Sequence, residues 1–244
     1  MKKIIAFDLD GTLAESKHPI SQDMAILISK LTEKAKVIVI SGGSYSQYEK
    51  QFIPQMGTEH LENIILMPTN GSVRYEYKNN EPRVTKSFPF NDEVKEKVLA
   101  ELNTIIGNEE FEVPTEHFGE YIEDRGTQIT FSGYGQLAPI EKKMIWDLSR
   151  SKRLKIKEYL ESKIPEIDAH VGGMTSVDIL PKNFNKASGL MAYLEENDLT
   201  TDDIVFIGDA VFPGGNDYSP SQVGIETIST NGPEHTKEII ETLL

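Results

Sequence analysis

Four apolar runs, each ending at a polar segment, constrain the fold of this chain more than any other feature of its sequence. The first run leads into Asp8, and the last leads into Gly208 and Asp209. Continuous apolar runs of this length are typical of parallel strands that are buried on both faces. Since ligands of open α/β sheets bind at the carboxyl ends of strands, the polar residues that follow become candidate site residues. The runs are Ile4–Phe7, Val37–Ile40, Ile64–Met67 and Ile204–Ile207.

The order of the remaining segments predicts two domains. A helix-like apolar face at Met24–Leu31 lies between the first two runs, which gives the usual strand, helix, strand crossover. From Phe88 to Leu180 the pattern changes to alternating stretches such as Gln128–Phe131 and to charged helices, predicted at Asp92–Ile106 and Glu141–Ser162. We therefore predict an α/β fold: a Rossmann-like core with a parallel sheet, residues 1–87 and 181–244, and an inserted α+β domain, residues 88–180.

Composition limits the partners of the chain. A formal net charge of −14 disfavours nucleic acid and anionic lipid, so neither is expected as a partner. The sequence has no cysteine, no stretch typical of a signal peptide and no apolar run long enough to span a bilayer, so a cytoplasmic location is expected. An anionic substrate would need a metal ion or a local cluster of positive charge.

The segment from Asp8 to Thr12 carries the strongest chemical pattern. Aspartate at the end of a buried strand can attack phosphorus and form an acyl phosphate, so Asp8 is the candidate nucleophile. Asp10 can protonate the leaving oxygen and deprotonate the incoming one. Gly11 permits close approach of the backbone to a phosphate, with Thr12 beside it.

Two other structures share features of this segment. A calcium-binding EF-hand loop also begins with two aspartates, but it needs glycine and glutamate where this chain has Leu13 and Pro19. A simple Asp-Gly turn with no catalytic role also fits this segment when the segment is taken alone.

Three further segments supply those partners. Ser41 and Gly42, where the second run opens into a helix, offer a hydroxyl and backbone N–H groups to a phosphate. Lys186 begins a predicted helix, where a lysine can neutralise nucleophile and phosphate together. The segment from Gly208 to Asp217 offers hard oxygen ligands suited to Mg²⁺; a single calcium β-helix repeat is excluded because such repeats must stack. Taken alone, the segment at Ser41 and Gly42 also fits a flexible strand-to-helix turn, and Lys186 also fits an ordinary solvated lysine.

Taken in order, these segments resemble the motifs of the haloacid dehalogenase superfamily, in the branch with an α/β cap. Within that branch the chain is similar to the eukaryotic-type phosphomannomutases through Arg125–Thr127, Gly172–Asp178 and Pro213–Tyr218. The resemblance implies a Mg²⁺-dependent enzyme. Its catalytic residues would be Asp8, Asp10 and Lys186; its phosphate-binding residues Gly11, Thr12, Ser41, Gly42 and Asn216; and its metal ligands Asp8, Asp10, Asp209 and Asp217.

The resemblance also predicts roles for the inserted domain, the cap. Ser176 and Asp178 match cap residues that contact the sugar phosphate, and the cap is expected to close over the sheet edge. Arginines that grip the second phosphate in those enzymes are replaced here. Their positions hold Lys17, Ser132 and either Lys142 or Lys143. A basic helix with Arg150, Lys152, Arg153, Lys155 and Lys157 offers a substitute or, alternatively, a solvated face. Relatives further suggest a homodimer formed through the caps.

Three functions follow from these observations. The first is phosphoryl transfer on a hexose phosphate, with interconversion of mannose 1-phosphate and mannose 6-phosphate. The second is a sugar-phosphate phosphatase, in which water attacks the same intermediate; loss of arginines favours it. The third is a catalytically silent binding protein, against which the intact aspartates argue.

Overall fold

The computed structural model describes residues 2–244 and divides into two compact units. The core comprises the residues up to Ser87 together with Asn185–Leu244, and the cap is Phe88–Phe184. The α/β class with an inserted α+β domain is confirmed by the two separate sheets, one in each unit. No helix among the described residues is long and apolar enough to cross a membrane.

The chain returns from the cap to the core after Phe184, four residues later than the sequence analysis places this boundary, between residues 180 and 181. The turn that follows the last cap strand stays hydrogen-bonded to the cap. Lys182 N–H donates to the Glu166 carbonyl at 2.8 Å, and Asn183 N–H donates to Asp168 Oδ2 at 2.6 Å. These bonds keep the turn in the cap and place the boundary after Phe184.

The core is built on a seven-stranded sheet. Its strands are β1 (Ile4–Phe7), β2 (Lys36–Ile40), β3 (Ile64–Met67), β4 (Val73–Lys78), β5 (Glu81–Ser87), β10 (Ile204–Gly208) and β11 (Glu226–Ser229). The spatial order is β11, β10, β1, β2, β3, β4, β5. The first five strands are parallel to one another, β4 pairs antiparallel with β3, and β5 pairs antiparallel with β4. All four predicted strands are present, and their carboxyl ends share one edge of the sheet.

Both faces of this sheet are covered, which explains the continuous apolar runs. Ile5 and Phe7 pack on one face against Met24 and Ile240, whereas Ile4 packs on the other. The alternation follows from the two-residue period of a strand. The core helices are α1 (Gln22–Thr32), α2 (Tyr45–Gln51), α6 (Lys186–Glu196), α7 (Ser219–Gln222) and α8 (Pro233–Leu243).

The cap is a four-stranded antiparallel sheet with three helices. The strands are β6 (Ile122–Asp124), β7 (Ile129–Ser132), β8 (Ile167–Gly172) and β9 (Ser176–Pro181), in the order β6, β7, β9, β8. The helices are α3 (Asp92–Ile106), α4 (Ile140–Trp146) and α5 (Ser151–Lys163). Apolar residues of alternate strand positions, such as Ile129, Phe131 and Val177, form the cap core with residues of these helices.

The predicted single helix from Glu141 to Ser162 is wrong, because the chain breaks into α4 and α5 at Asp147. The Asp147 carboxylate accepts the N–H groups of Lys152 at 3.1 Å and Arg153 at 3.0 Å. A carboxylate in this place satisfies free N–H groups at a helix start. A second helix therefore begins where the sequence pattern suggested continuation.

Candidate active site

The loop after β1 carries the two carboxylates of the first predicted motif. Leu9 and Leu13 are fully buried, and their side chains anchor the loop in the core. Gly11 adopts a φ of +85°, which glycine reaches without strain. Asp8, only 3% exposed, directly follows the strand, and Asp10 lies at the turn.

Three carboxylates converge at this edge of the sheet. One oxygen from each of Asp8, Asp209 and Asp217 lies within 4.8 Å of the others. A Cβ on Gly11 would lie 2.7 Å from Asp209 Oδ2, and one on Gly208 would lie 2.6 Å from Asp217 Oδ2. The carboxylates therefore pack against bare backbone. This acidic cluster is a set of hard oxygen donors that fits a divalent cation.

The loop after β10 folds back to bury Asp217. Asp217 Oδ2 accepts the Ala210 N–H at 3.1 Å. Within the loop, the Gly215 N–H donates to the Phe212 carbonyl at 2.8 Å. Asn216, the neighbouring residue, is exposed, and its role as a phosphate ligand stays a prediction.

Lys186 joins two members of the acidic cluster. Its Nζ donates to Asp8 Oδ1 at 2.5 Å and to Asp217 Oδ1 at 2.6 Å. The side chain is 1% exposed and begins α6, whose N-cap is Asn185. The predicted third motif is thus in contact with the first and the fourth.

Burial and mutual repulsion control the protonation of the cluster. Burial raises the pKa of Asp8 well above its ordinary value, against the opposing charge of Lys186. Partial loss of hydration and the nearby Asp217 raise the pKa of Asp209 to about 6, although this residue lies at the exposed side of the cluster. Burial alone would lower the pKa of Lys186, but Asp217 and Asp8 outweigh it and raise that pKa. The cluster carries more negative charge than one lysine neutralises, as expected of a cation site.

The metal-free protein should therefore lose stability through the acidic cluster as the pH rises from about 4 to about 6. The pKa of Asp209 is about 6 in the folded state against an ordinary 3.8, so the folded state binds more protons in this window. The free energy of unfolding then falls with rising pH. We expect Asp209→Asn to remove this contribution. The measurement is the difference in Tm between wild type and variant, in EDTA, across the window; a constant difference would contradict the assignment. Added Mg²⁺ should reduce the Tm difference between wild type and variant near pH 6, where the carboxylates are most ionised.

Asp10 lies apart from the acidic cluster. Its Oδ2 accepts Gln47 Nε2 at 2.5 Å, and its Oδ1 accepts Gln51 Nε2 at 3.2 Å and the Lys17 N–H at 2.7 Å. The described structure therefore does not bring the Asp10 carboxylate together with the other predicted metal ligands. The sequence analysis missed both glutamines, although their spacing of four residues on one face of α2 is a usable signal.

The second predicted motif lies at the end of β2. Ser41 is 3% exposed, and its Oγ accepts the Gly43 N–H at 3.1 Å, with Gly42 between them. Thr12 is fully buried, and its Oγ1 has no hydrogen-bond partner within residues 2–244. A buried hydroxyl without a partner is costly, which is consistent with a polar ligand there. Phosphate contacts by these residues stay predictions.

The cap residues predicted to contact substrate lie on the polar face of the cap sheet. Ser176 and Asp178 alternate along β9 and pair with Ser132 and Thr130 of β7. Thr130 Oγ1 donates to Asp178 Oδ1 at 2.9 Å. Burial raises the pKa of Asp178, although the charge of Arg125 opposes it. Their role in binding a sugar is untested by this geometry.

The predicted phosphate-gripping cations of the cap have partners of their own. Lys142 forms an ion pair with Glu116, and Lys143 Nζ donates to the Gln136 carbonyl at 3.1 Å. Ser132 is buried and offers no positive charge. A second phosphate would therefore compete with existing contacts in this part of the cap.

Arg153 of the basic helix braces the cap from within. It is 3% exposed, and its Nε donates to Asp147 Oδ2 at 2.9 Å. Its Nη1 donates to the carbonyl of Gly172 at 3.1 Å and to that of Gly173. This side chain supports the turn before Ser176, so it is not available as a free phosphate ligand.

Known proteins match this chain along most of its length. The family model of haloacid dehalogenase-like hydrolases matches residues 5–219. A probable phosphomannomutase of Caenorhabditis elegans is 24% identical, with 100% of this chain and 96% of the relative covered. A phosphomannomutase of Oryza sativa subsp. indica is 28% identical, covering 87% of this chain and 83% of the relative.

Solved structures share the fold at lower identity. An IMP-nucleotidase of Plasmodium falciparum bound to IMP is 18% identical with a TM-score of 0.76, covering 99% of this chain and 68% of that chain. A haloacid dehalogenase-like hydrolase from Bacteroides thetaiotaomicron is 15% identical with a TM-score of 0.66, and both chains are covered completely. The family match, the converging carboxylates and the bridging lysine agree, and the chain is an enzyme that belongs to the haloacid dehalogenase-like hydrolase family.

Proposed function

We propose that this enzyme transfers the phosphoryl group of a hexose phosphate through an aspartyl phosphate at Asp8, with Mg²⁺ as cofactor. The proposed outcome is interconversion of mannose 1-phosphate and mannose 6-phosphate. The observation that supports the chemistry most is the buried bridge from Lys186 to Asp8 and Asp217. The proposed outcome draws on relatives named phosphomannomutase that match most or all of the chain.

The proposed reaction has two half-reactions. In the first, an Asp8 carboxylate oxygen forms a bond to phosphorus while the bond from phosphorus to the sugar oxygen breaks, and Asp10 gives that oxygen a proton. In the second, a free hydroxyl of a hexose monophosphate attacks the phosphorus of the aspartyl phosphate, passes its proton to Asp10 and releases Asp8. The hexose bisphosphate formed in this way then turns round or exchanges, so that its other phosphate enters the first half-reaction. Lys186 favours the deprotonated form of Asp8 against the effect of burial and orients its carboxylate, and the three donors on Asp10 fix the carboxylate of that residue. Mg²⁺ bound by Asp8, Asp209 and Asp217 would supply positive charge between nucleophile and phosphate.

Chelation should abolish turnover, and Mg²⁺ should restore it. A buried carboxylate that faces a phosphate dianion needs a cation, since Lys186 alone leaves the acidic cluster negative. The measurement is phosphoryl transfer in excess EDTA, then with Mg²⁺ added back. Full activity in EDTA would contradict the proposed cofactor. Calcium should inhibit, because its larger and more flexible coordination shell can engage the nucleophile itself.

A sugar-phosphate phosphatase is the second candidate, and the charge of the cap favours it. A mutase must hold the phosphate that is not reacting, whereas a phosphatase needs no second anion site. Ser132 lacks the charge of an arginine, and Lys142 is neutralised by Glu116. In this case water attacks the aspartyl phosphate and inorganic phosphate leaves.

Both products should be measured in one tube. The enzyme receives mannose 1-phosphate or glucose 1-phosphate with Mg²⁺ and a catalytic amount of hexose bisphosphate, and hexose 6-phosphate and inorganic phosphate are followed together. Hexose 6-phosphate without matching phosphate release is the expected result for a mutase. Phosphate release with no isomer would replace the mutase by the phosphatase. If the enzyme is a mutase, charge reversal at Lys17, Lys142 or Lys143 should reduce isomerisation more than hydrolysis.

A cytoplasmic location and a homodimer formed through the cap are also proposed. Five large apolar side chains on and beside α4 are at least half exposed. Contact between two copies of the chain through this surface would remove them from water. They are Leu137, Ile140, Met144, Ile145 and Leu148. Sedimentation should show a dimer that Leu148→Glu weakens; a wild-type monomer at all concentrations would contradict it. Cell fractionation checks the location.

A further inference from the structure

The loop after β3 holds three successive residues in left-handed conformations. The φ angles are 52° at Thr69, 57° at Asn70 and 87° at Gly71. A β-branched residue such as threonine rarely adopts this conformation, so the loop is strained at Thr69. Strain of this kind persists only where surrounding contacts determine the backbone, and it is concentrated at functional sites.

The strained loop is tied to the Ser41 segment by backbone hydrogen bonds. Asn70 N–H donates to the Ser41 carbonyl at 2.8 Å, and Thr69 N–H donates to the Gly43 carbonyl at 2.8 Å. The hydroxyl of Ser72 donates to the Thr69 carbonyl at 2.7 Å and closes the loop on itself. Backbone hydrogen bonds thus join the loop after β3 to the segment after β2.

The same loop meets helix α6 through backbone alone. A Cβ on Gly189 would lie 3.0 Å from the Cα of Gly71 and 3.2 Å from its carbonyl oxygen. A Cβ on Gly71 would lie 3.1 Å from the Cα of Gly189 and 3.0 Å from Cδ1 of Ile40, so Gly189→Ala is the more specific probe of this contact. Glycine inside a helix is unfavourable relative to alanine, so its presence at Gly189 is explained by this close approach.

Lys186 lies one turn before Gly189 on the same helix. Its Nζ reaches both Asp8 and Asp217, and the buried side chain leaves little room to compensate for a shift of the helix. A methyl group placed between Gly71 and Gly189 would require the loop and α6 to move apart by a few tenths of an ångström, and we expect part of this shift to fall on α6. Lys186 would then move with the helix relative to Asp8.

We propose that the contact between Gly71 and Gly189 sets the reach of Lys186 onto Asp8 and Asp217, so that both glycines are positioning residues for phosphoryl transfer. The proposal rests on the proposed chemistry at Asp8 but not on the identity of the sugar. It explains why a strained loop is retained against the helix that carries Lys186.

The test compares two variants that enter the contact from opposite sides. Gly189→Ala introduces a methyl group without a φ penalty, and Gly71→Ala adds one at φ +87°. Gly224→Ala is the matched control, because its φ is +86° and the nearest atom to its Cβ, Thr201 Oγ1, is 3.9 Å away. With p-nitrophenyl phosphate and Mg²⁺, we expect kcat to fall roughly 3- to 10-fold in the two contact variants with KM little changed, since a displacement of about 1 Å costs about 100-fold and the added methyl groups require shifts of a few tenths of an ångström. The control should keep wild-type turnover.

A double-mutant cycle separates positioning from a general effect on the fold. If Gly189→Ala acts through Lys186, it should cause no further loss of kcat in a Lys186→Met background. An equal further loss there, wild-type kcat in Gly189→Ala, or a matching loss in the Gly224→Ala control would overturn the proposal. If Lys186→Met itself keeps wild-type turnover, the proposed role of the lysine fails together with it. If kcat falls in Lys186→Met but not in Gly189→Ala, only the positioning role of the glycines is wrong, and the proposed role of the lysine stands.

Discussion

Asp8→Asn should yield a folded protein with no measurable turnover. An amide cannot form the acyl phosphate, and removal of the covalent nucleophile of a serine protease costs roughly a million-fold in kcat, which sets the scale expected here. The substitution preserves shape at a position that is only 3% exposed, so packing is retained. It also removes one of three converging carboxylates, and the metal-free protein should therefore be at least as stable as wild type. Turnover and Tm in EDTA are the two measurements.

The outcome separates a nucleophile from an electrostatic residue. Turnover within about tenfold of wild type would remove Asp8 from the mechanism, because an essential nucleophile has no substitute here. Asp198→Asn, the same change at an exposed residue, is the control and should keep full activity. Mass spectrometry after mixing with acetyl phosphate should show an adduct of one phosphoryl group in the wild type or in Asp10→Asn, and none in Asp8→Asn.

The sequence was sufficient to identify the residues that meet at the sheet edge. Asp8 and Asp209 follow buried parallel strands, and the topology of such strands brings their carboxyl ends together. The contact of Lys186 with Asp217 could be expected only from the resemblance, since nothing local in the sequence ties a helix start to a loop far along the chain. Where topology determines position, the sequence was a good guide.

The direction of side chains was less accessible. Asp10 is at the predicted place, but its carboxylate is held by Gln47 and Gln51, which depends on how α2 packs on the loop. The break before α5 depends on a single carboxylate, Asp147, that accepts two N–H groups. Helix periodicity does not report such a cap.

The hairpin of β4 and β5 was missed although its turn could have been recognised. Asn79 and Asn80 join the two strands with φ angles of 55° and 62°. Two asparagines with positive φ are typical of the tight turns that connect antiparallel strands. β5 is almost entirely exposed and β4 is mostly half-buried, so neither strand has the continuous apolar run that marks the buried strands.

Lys186→Met should lose both turnover and stability. Methionine is similar in length but donates no hydrogen bond, so Asp8 and Asp217 would remain buried without their cation. Leaving a buried charge unpaired typically costs about 3–5 kcal/mol, and loss of one transition-state donor costs about 100- to 1000-fold in kcat. The measurements are chemical unfolding in EDTA and kcat with Mg²⁺.

The stability loss should depend on conditions in a way that identifies its cause. Mg²⁺ binding to the acidic cluster should recover part of it, and so should acidification, because protonated carboxylates no longer repel one another. Lys182→Met makes the same chemical change at an exposed lysine paired with Asp168, where such pairs are worth about 0–1 kcal/mol. We therefore expect Lys182→Met to remain close to wild type in both measurements. Equal losses in the two variants would mean that the buried bridge contributes no more than a surface ion pair, and the electrostatic role of Lys186 at Asp8 would then be wrong.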